Sequence, residues 1–252
     1  LPALRHPITL AHSLATSDIL SGGRISIAAG VGGAFTPEQK QEWEAVGVEP
    51  KSRAGRLSEV VQIMKRLWRE DNVTFHGRHF TLEDVTLDPK PVQYDGIPII
   101  LASHYATGSD TQNRRAGLHD DRVMGITDPP DRYAEVLQKV ENFATEAGRD
   151  AEQFQRVFYM TVNLNEPAEA ATEADDFLMQ YYGVNHWKDR WGPWGSAQDI
   201  AKRKAEYAGA GARHMVVRFA SWDQKGQMSK FVQEVMPIFN EIDPAVGSVQ
   251  FN

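Results

Sequence analysis

Three short stretches hold the groups best suited to chemistry. "AGVGG" (29–33) puts bare backbone at the end of an apolar run. "ASHYATGSD" (102–110) sets serine, histidine and threonine between an apolar run and a helical pattern, and "YYGVNHWKDRWGPWG" (181–195) gathers Tyr181, Tyr182, Trp187, Trp191 and Trp194. The glycines of the first invite comparison with a phosphate cradle. A dinucleotide fingerprint, however, needs a third glycine where Phe35 stands, and no G-x-x-x-x-G-K-[ST] loop occurs. A strand that ends in glycines still exposes backbone at its carboxyl end, where parallel α/β folds bind ligands, and its small residues let a planar ligand approach. His104 falls just past a strand end, a position suited to proton transfer. No histidine pair has the H-x-x-x-H spacing of a metal site, and the chain has no cysteine, so neither a metal centre nor a thiol nucleophile is expected.

These groups must be positioned by an alternation of strands and helices. Five β-branched runs read as strands: 24–30, 97–103, 122–127, 155–164 and 213–220. Helical periodicity covers 52–70, 108–119, 130–148, 168–183, 196–211 and 227–242, with Leu57, Val60, Val61, Met64 and Leu67 on one face of the first. Such alternation predicts a parallel sheet with helical crossovers, as in an α/β barrel or a doubly wound sheet. Residues 72–98 form an excursion with a turn at His76-Gly77, and Pro37 with "EQKQEW" a second one. Ser196 with Asp199 resembles a capping box. A chain of 252 residues, 41% hydrophobic and carrying a formal net charge of -7, fits one soluble domain and disfavours a nucleic-acid partner. No apolar run is long enough to span a membrane, so a cytoplasmic location is expected.

The segments "LRHPITLAHSLATSDILSGGRISIAAGVGG" and "WEAVGVEPKSRAGRLSEVVQIMKRLWREDNVTFHGRHFTLEDVTLDPKPVQ" resemble the bacterial-luciferase-like family of flavin-dependent oxidoreductases. The pattern is composite: R-H-P before a helix, L-S-x-G-R into a strand, G-V-G after it, R-x-x-R-x-x-E and L-W on a helix, then F-x-G and P-x-P. "GSAQDIAKRKAEYAGAGARHMVVRFA" is similar to the family's last helix-strand unit. The resemblance covers nearly the whole chain and implies a (β/α)8 TIM barrel with FMN or a deazaflavin at the carboxyl ends of its strands. The R-H-P motif follows the family's third strand. The sequence therefore reads as strands four to eight of one barrel domain over residues 1–252, a fragment lacking roughly 60 to 90 residues of N-terminal strands.

By this resemblance Gly30, Val31 and Gly32 would face the flavin. Ser103, Thr107, Gly108 and Ser109 would bind its phosphate at a helix start, and His104 would polarise a flavin carbonyl or move a proton. Trp187, Trp191 and Trp194 would roof the pocket of a small-molecule substrate or pack against a second subunit of a homodimer. The family's phosphate-binding arginine aligns with Val31. Arg114 or Arg115 could compensate, although solvated helix arginines are the expectation. The implied function is a monooxygenase using reduced FMN, supplied by a separate flavin reductase, and oxygen. A deazaflavin-dependent dehydrogenase on the same fold and a noncatalytic flavin-binding or assembly protein are the alternatives.

Overall fold

The computed structural model describes residues 1–105, 110–119, 122–151, 154–185, 187, 192 and 194–242. The chain forms two compact units, Leu1–Ala102 with Arg115–Arg122, and Ser103–Arg114 with Val123–Asn252.

In the first unit, α1 (Pro7–Ser21) starts with proline in its first turn, where a missing N–H costs nothing, and stops at Gly22 in the left-handed region (φ 66°). Strand β1 (Ile27–Ala29) leads to α2 (Pro37–Ala45) and α3 (Arg53–Arg69). The hairpin β2 (Val73–His76) and β3 (Thr81–Val85) follows, and β4 (Ile99–Ala102) then pairs parallel with β1, Ile27 opposite Ile99. The predicted apolar face of α3 is buried throughout. The fully buried Asp18 carboxylate of α1 accepts hydrogen bonds from the Gln93 backbone N–H (3.1 Å) and side-chain amide (2.7 Å), which ties the approach to β4 onto α1.

The stretch read as an excursion at Pro37 is a helix. Its Thr36 hydroxyl accepts from the Gln39 N–H while the Gln39 side chain returns to the Thr36 N–H. The excursion at 72–98 contains the β2–β3 hairpin, whose turn is held by one carboxylate. Glu59 of α3 accepts from the backbone N–H groups of Arg78 (2.8 Å), His79 (2.9 Å) and Phe80 (3.1 Å). Glu59→Ala leaves three donors without their acceptor, and a loss of about 2 kcal/mol is expected in urea unfolding, with faster amide exchange confined to the hairpin.

The second unit takes in the first turns of α4 (Asp110–His119) and most of β5 (Arg122–Ile126). It continues through α5 (Pro130–Glu146), β6 (Gln155–Leu164), α6 (Pro167–Tyr182), β7 (Trp194–Gly195), α7 (Ala197–Gly209) and β8 (His214–Phe219). It closes with α8 (Gln224–Lys230), a π-helical turn (Phe231–Val235) and α9 (Met236–Ile242). The last helical pattern, expected as one α-helix, is thus interrupted, and β7 is a strand that the sequence reading lacked. Strand β6 pairs parallel with β8 along Val157–Val162 and with β7 at Asn163 and Leu164. Phe158 stacks on Tyr207 of α7 (3.7 Å between centroids), and Phe219 meets Phe231 (5.9 Å), so these side chains face helices. Strand alternation therefore turns Tyr159, Thr161 and Asn163 of β6, with Val216 and Arg218 of β8, to the opposite face.

Ser196 and Asp199 form the capping box of α7, and its hydrogen bonds to the Ser196 hydroxyl and N–H hold the Asp199 carboxyl below the usual carboxylate range. Ser196→Ala is expected to cost about 1 kcal/mol near neutral pH. Because the folded-state pKa is the lower one, the contribution is present above the ordinary carboxylate range and fades as pH falls through the lowered value. The gap between the thermal melts of the two proteins should narrow in acid, without closing, because the Asp199 N–H keeps the Ser196 hydroxyl as its acceptor at every pH.

Candidate functional site

In the second unit the polar groups gather at the carboxyl ends of the strands. The Ser103 N–H donates to Met124 O (3.0 Å), extending the β4 backbone past its last residue. The Ser103 hydroxyl is fully buried and has no hydrogen-bond partner among the described residues. Next to it, His104 Nδ1 lies 3.1 Å from Ile126 O. A carbonyl only accepts, so this contact puts a proton on Nδ1, and in the neutral form of the ring the lone pair is then on Nε2.

The carbonyl that positions His104 belongs to a tight turn. The Asp128 N–H bonds to Ile126 O (2.9 Å) around Thr127 at φ 65°, the left-handed region that β-branched residues avoid. Buried Asp128 fixes this turn from two sides. Its carboxylate accepts from the Tyr105 N–H (2.8 Å), and its backbone oxygen accepts from the Tyr207 hydroxyl (2.8 Å). Burial pushes the Tyr207 phenol well up, which keeps it a donor. A strained turn held this firmly is the usual mark of a position where geometry matters.

In the first unit, the loop after β1 is held as a platform. The fully buried Trp43 of α2 donates from Nε1 to Gly33 O (2.9 Å), and Arg53 of α3 donates to Gly32 O (3.2 Å). Gly32 has φ 81°, and a Cβ there would lie 2.8 Å from the Trp43 ring and 2.9 Å from Leu1. Its glycine is therefore required by turn geometry and packing within this unit. No such crowding exists at Gly30, where the atoms nearest to an added Cβ would be 3.9 Å away, and Val31 is half-buried.

The other expected site residues divide. Thr107, Gly108, Ser109 and Trp191 lie outside the described residues. Trp187 is buried, its N–H donating to Asn185 Oδ1 (2.9 Å), and Trp194 is half-buried in β7. Arg115 corrects the expectation of a solvated helix arginine: it is 8% exposed and donates to Ser58 (2.8 Å), and its burial lowers its pKa. Arg114 lies over the Phe143 ring at 5.9 Å. Arg53 entered the sequence reading only as the first position of R-x-x-R-x-x-E, with no role, and Arg218 escaped it. The i, i+3 spacing of that motif gave no hint that Arg53 reaches the loop after β1, and Arg218 needs the β6–β8 register.

An open cavity of about 450 Å³ lies elsewhere in the second unit, lined by Asn165 and Glu166 after β6, Ser196 and Gln198 at α7, and Lys230 and Glu234 at the π-helical turn. It includes none of the expected site residues. Among the described residues no cluster of three metal-ligating side chains occurs, and no helix is long and apolar enough to cross a membrane.

Residues 1–228 match the family described as luciferase-like monooxygenase. The chain is 27% identical over 264 residues to an F420-dependent glucose-6-phosphate dehydrogenase of Kineococcus radiotolerans, a match covering 94% of this chain and 75% of that protein. It is 38% identical over 96 residues to an FMNH(2)-dependent dimethylsulfone monooxygenase of Pseudomonas putida, covering 37% of this chain and 25% of that one. An F420-dependent secondary alcohol dehydrogenase, solved with an F420-acetone adduct, superposes with a TM-score of 0.76 at 22% identity over 93% of this chain and 75% of its own. That likeness shows the fold: an α/β chain corresponding to part of a luciferase-like (β/α)8 barrel.

Proposed function

We propose that this chain, which belongs to the luciferase-like monooxygenase family, oxidises a small organic substrate with reduced FMN and oxygen. The observation that carries the reading is the strand-end arrangement in the second unit, where His104 is oriented through Nδ1 beside a buried serine hydroxyl with no partner among the described residues. That hydroxyl fits a coenzyme oxygen, because a buried hydroxyl left alone is costly and a carbonyl or phosphate oxygen would accept from it. When bound, reduced FMN would supply the electrons that activate oxygen. The chain orients the coenzyme with Ser103, and His104 Nε2 accepts or returns a proton at the substrate or at a ring carbonyl.

A deazaflavin-dependent dehydrogenase is the second reading. It is favoured by the extent of the matches, since the F420-dependent relative aligns along 94% of this chain and the FMNH(2)-dependent one along 37%. Anaerobic spectroscopic titration of the full-length protein with FMN and with F420 separates the two. Tighter FMN binding, followed by oxygen-dependent turnover with a flavin reductase, supports the first. Tighter F420 binding with oxygen-independent hydride transfer supports the second, flavin binding without turnover supports a noncatalytic role, and no binding of either coenzyme overturns both readings.

A further inference from the structure

Arg218 stands on the polar face of β8, opposite Thr161 in the β6–β8 register. Three rings of α6 bracket its guanidinium, with centroids at 5.3 Å (Phe177), 4.4 Å (Tyr181) and 4.9 Å (Tyr182). The Tyr182 hydroxyl accepts one of its hydrogen bonds, and the Tyr159 phenol lies against it. Arg156 and Arg203 of the same unit pair with Glu141 and Glu206, but no carboxylate stands within ion-pair distance of Arg218 among the described residues. Ring contacts engage the face of a guanidinium more than its edge, where the N–H fork that can meet a planar oxyanion lies. Two neutral hydroxyls take only part of five donors and none of the charge. The surround is open: Tyr181, Tyr182 and Trp222, the last edge-on to Phe177 at 4.8 Å, are 56%, 48% and 63% exposed.

We infer that Arg218, oriented by Phe177, Tyr181 and Tyr182 and flanked by Tyr159, is an anion-recognition residue that binds a carboxylate or phosphate group of the substrate or of the coenzyme. The inference deepens the proposed function and rests on it for what the anion is attached to. The rings fix the direction of the fork and Tyr159 limits its swing, so a ligand carrying an oxyanion is held at one end while a neutral analogue is not.

The first test is calorimetric titration of the full-length protein, without coenzyme, with inorganic phosphate and with acetate as probes. Arg218→Gln is expected to weaken binding about 10- to 100-fold, Arg218→Lys to weaken it less, and Lys225→Gln, an exposed change of equal charge, to leave it unaltered. A thermal melt verifies folding, and if Arg218→Gln does not fold, Arg218→Lys and Tyr159→Phe carry the comparison. Equal binding of both probes by wild type and a folded Arg218 variant overturns the inference, as does absence of binding to the wild type. A second titration compares FMN with riboflavin. Selective loss of FMN affinity in Arg218→Gln identifies the coenzyme phosphate as the anion, whereas unchanged FMN affinity together with lost phosphate or acetate binding assigns it to the substrate. If neither FMN nor F420 binds while the anion probes still do, the proposed function fails and the anion site stands.

Discussion

Replacing His104 by glutamine is expected to lower turnover about 10²- to 10⁴-fold while changing coenzyme affinity only slightly. Glutamine retains a donor that can reach Ile126 O, so the strand-end backbone stays in place, but its amide cannot exchange a proton near neutral pH. The magnitude is the ordinary worth of a positioned general acid or base. Steady-state and single-turnover rates of wild type and His104→Gln, with coenzyme affinity measured on the same samples, provide the check. Equal turnover numbers would remove the proton-transfer role and leave the ring as a fixed donor to a backbone carbonyl. Asp128 predicts the same dependence one step removed. It holds the Tyr105 N–H and shapes the turn that presents Ile126 O, so Asp128→Asn should disturb His104 without touching the reacting groups.

The second large effect concerns stability. Trp43 is fully buried, its ring fills the space beside Gly32, and its Nε1–H donates to Gly33 O. Trp43→Ala should cost about 3–5 kcal/mol through the cavity it opens. Trp43→Phe keeps most of the volume, loses the hydrogen bond, and should cost about 1 kcal/mol more than the volume change alone. Urea unfolding gives the totals, and hydrogen exchange over 30–34 shows whether the loop loosens before the unit does. A loop that keeps its protection in Trp43→Phe would mean that packing, and not the indole hydrogen bond, fixes the glycine backbone.

The strands β4, β5 and β6 and the helices α3 and α5 were legible because each buries a continuous run or a clean stripe, which is the pattern that burial writes into sequence, whereas β8, with only Phe219 buried, was legible from its β-branched residues. Helix α2 was not, since Trp43 is its sole buried residue and periodicity has nothing to count. Its true signal was chemical: Thr36, Pro37 and Gln39 occupy the cap, first and third helical positions. Strand β7, two residues long, exists only through its pairing with Asn163 and Leu164, a contact that no local pattern records. The place of His104 at a strand end could be read locally. Its orientation depends on Ile126, and the strained turn at Thr127 depends on Asp128 and Tyr207, so both follow from contacts across tens of residues. Arg218 is the extreme case, because "RHMVVRF" reads as an ordinary strand until the alternation is anchored by Phe158 and Phe219.

The π-helical turn between α8 and α9 has a geometric consequence for the cavity beside it. Gln227, Phe231, Val235 and Phe239 are all buried at a spacing of four, yet in a regular α-helix each such step drifts by about 40° around the axis. One widened turn takes up part of that drift, so the buried residues run more nearly straight, and Lys230, Glu234 and Ile238 along the cavity wall run straight beside them. The turn acts as a vernier between two rows of side chains. Deleting one residue within 231–233 would restore an α-helical winding and turn Glu234 out of line with Lys230, which makes the length of this segment, more than its composition, the quantity that sets the wall.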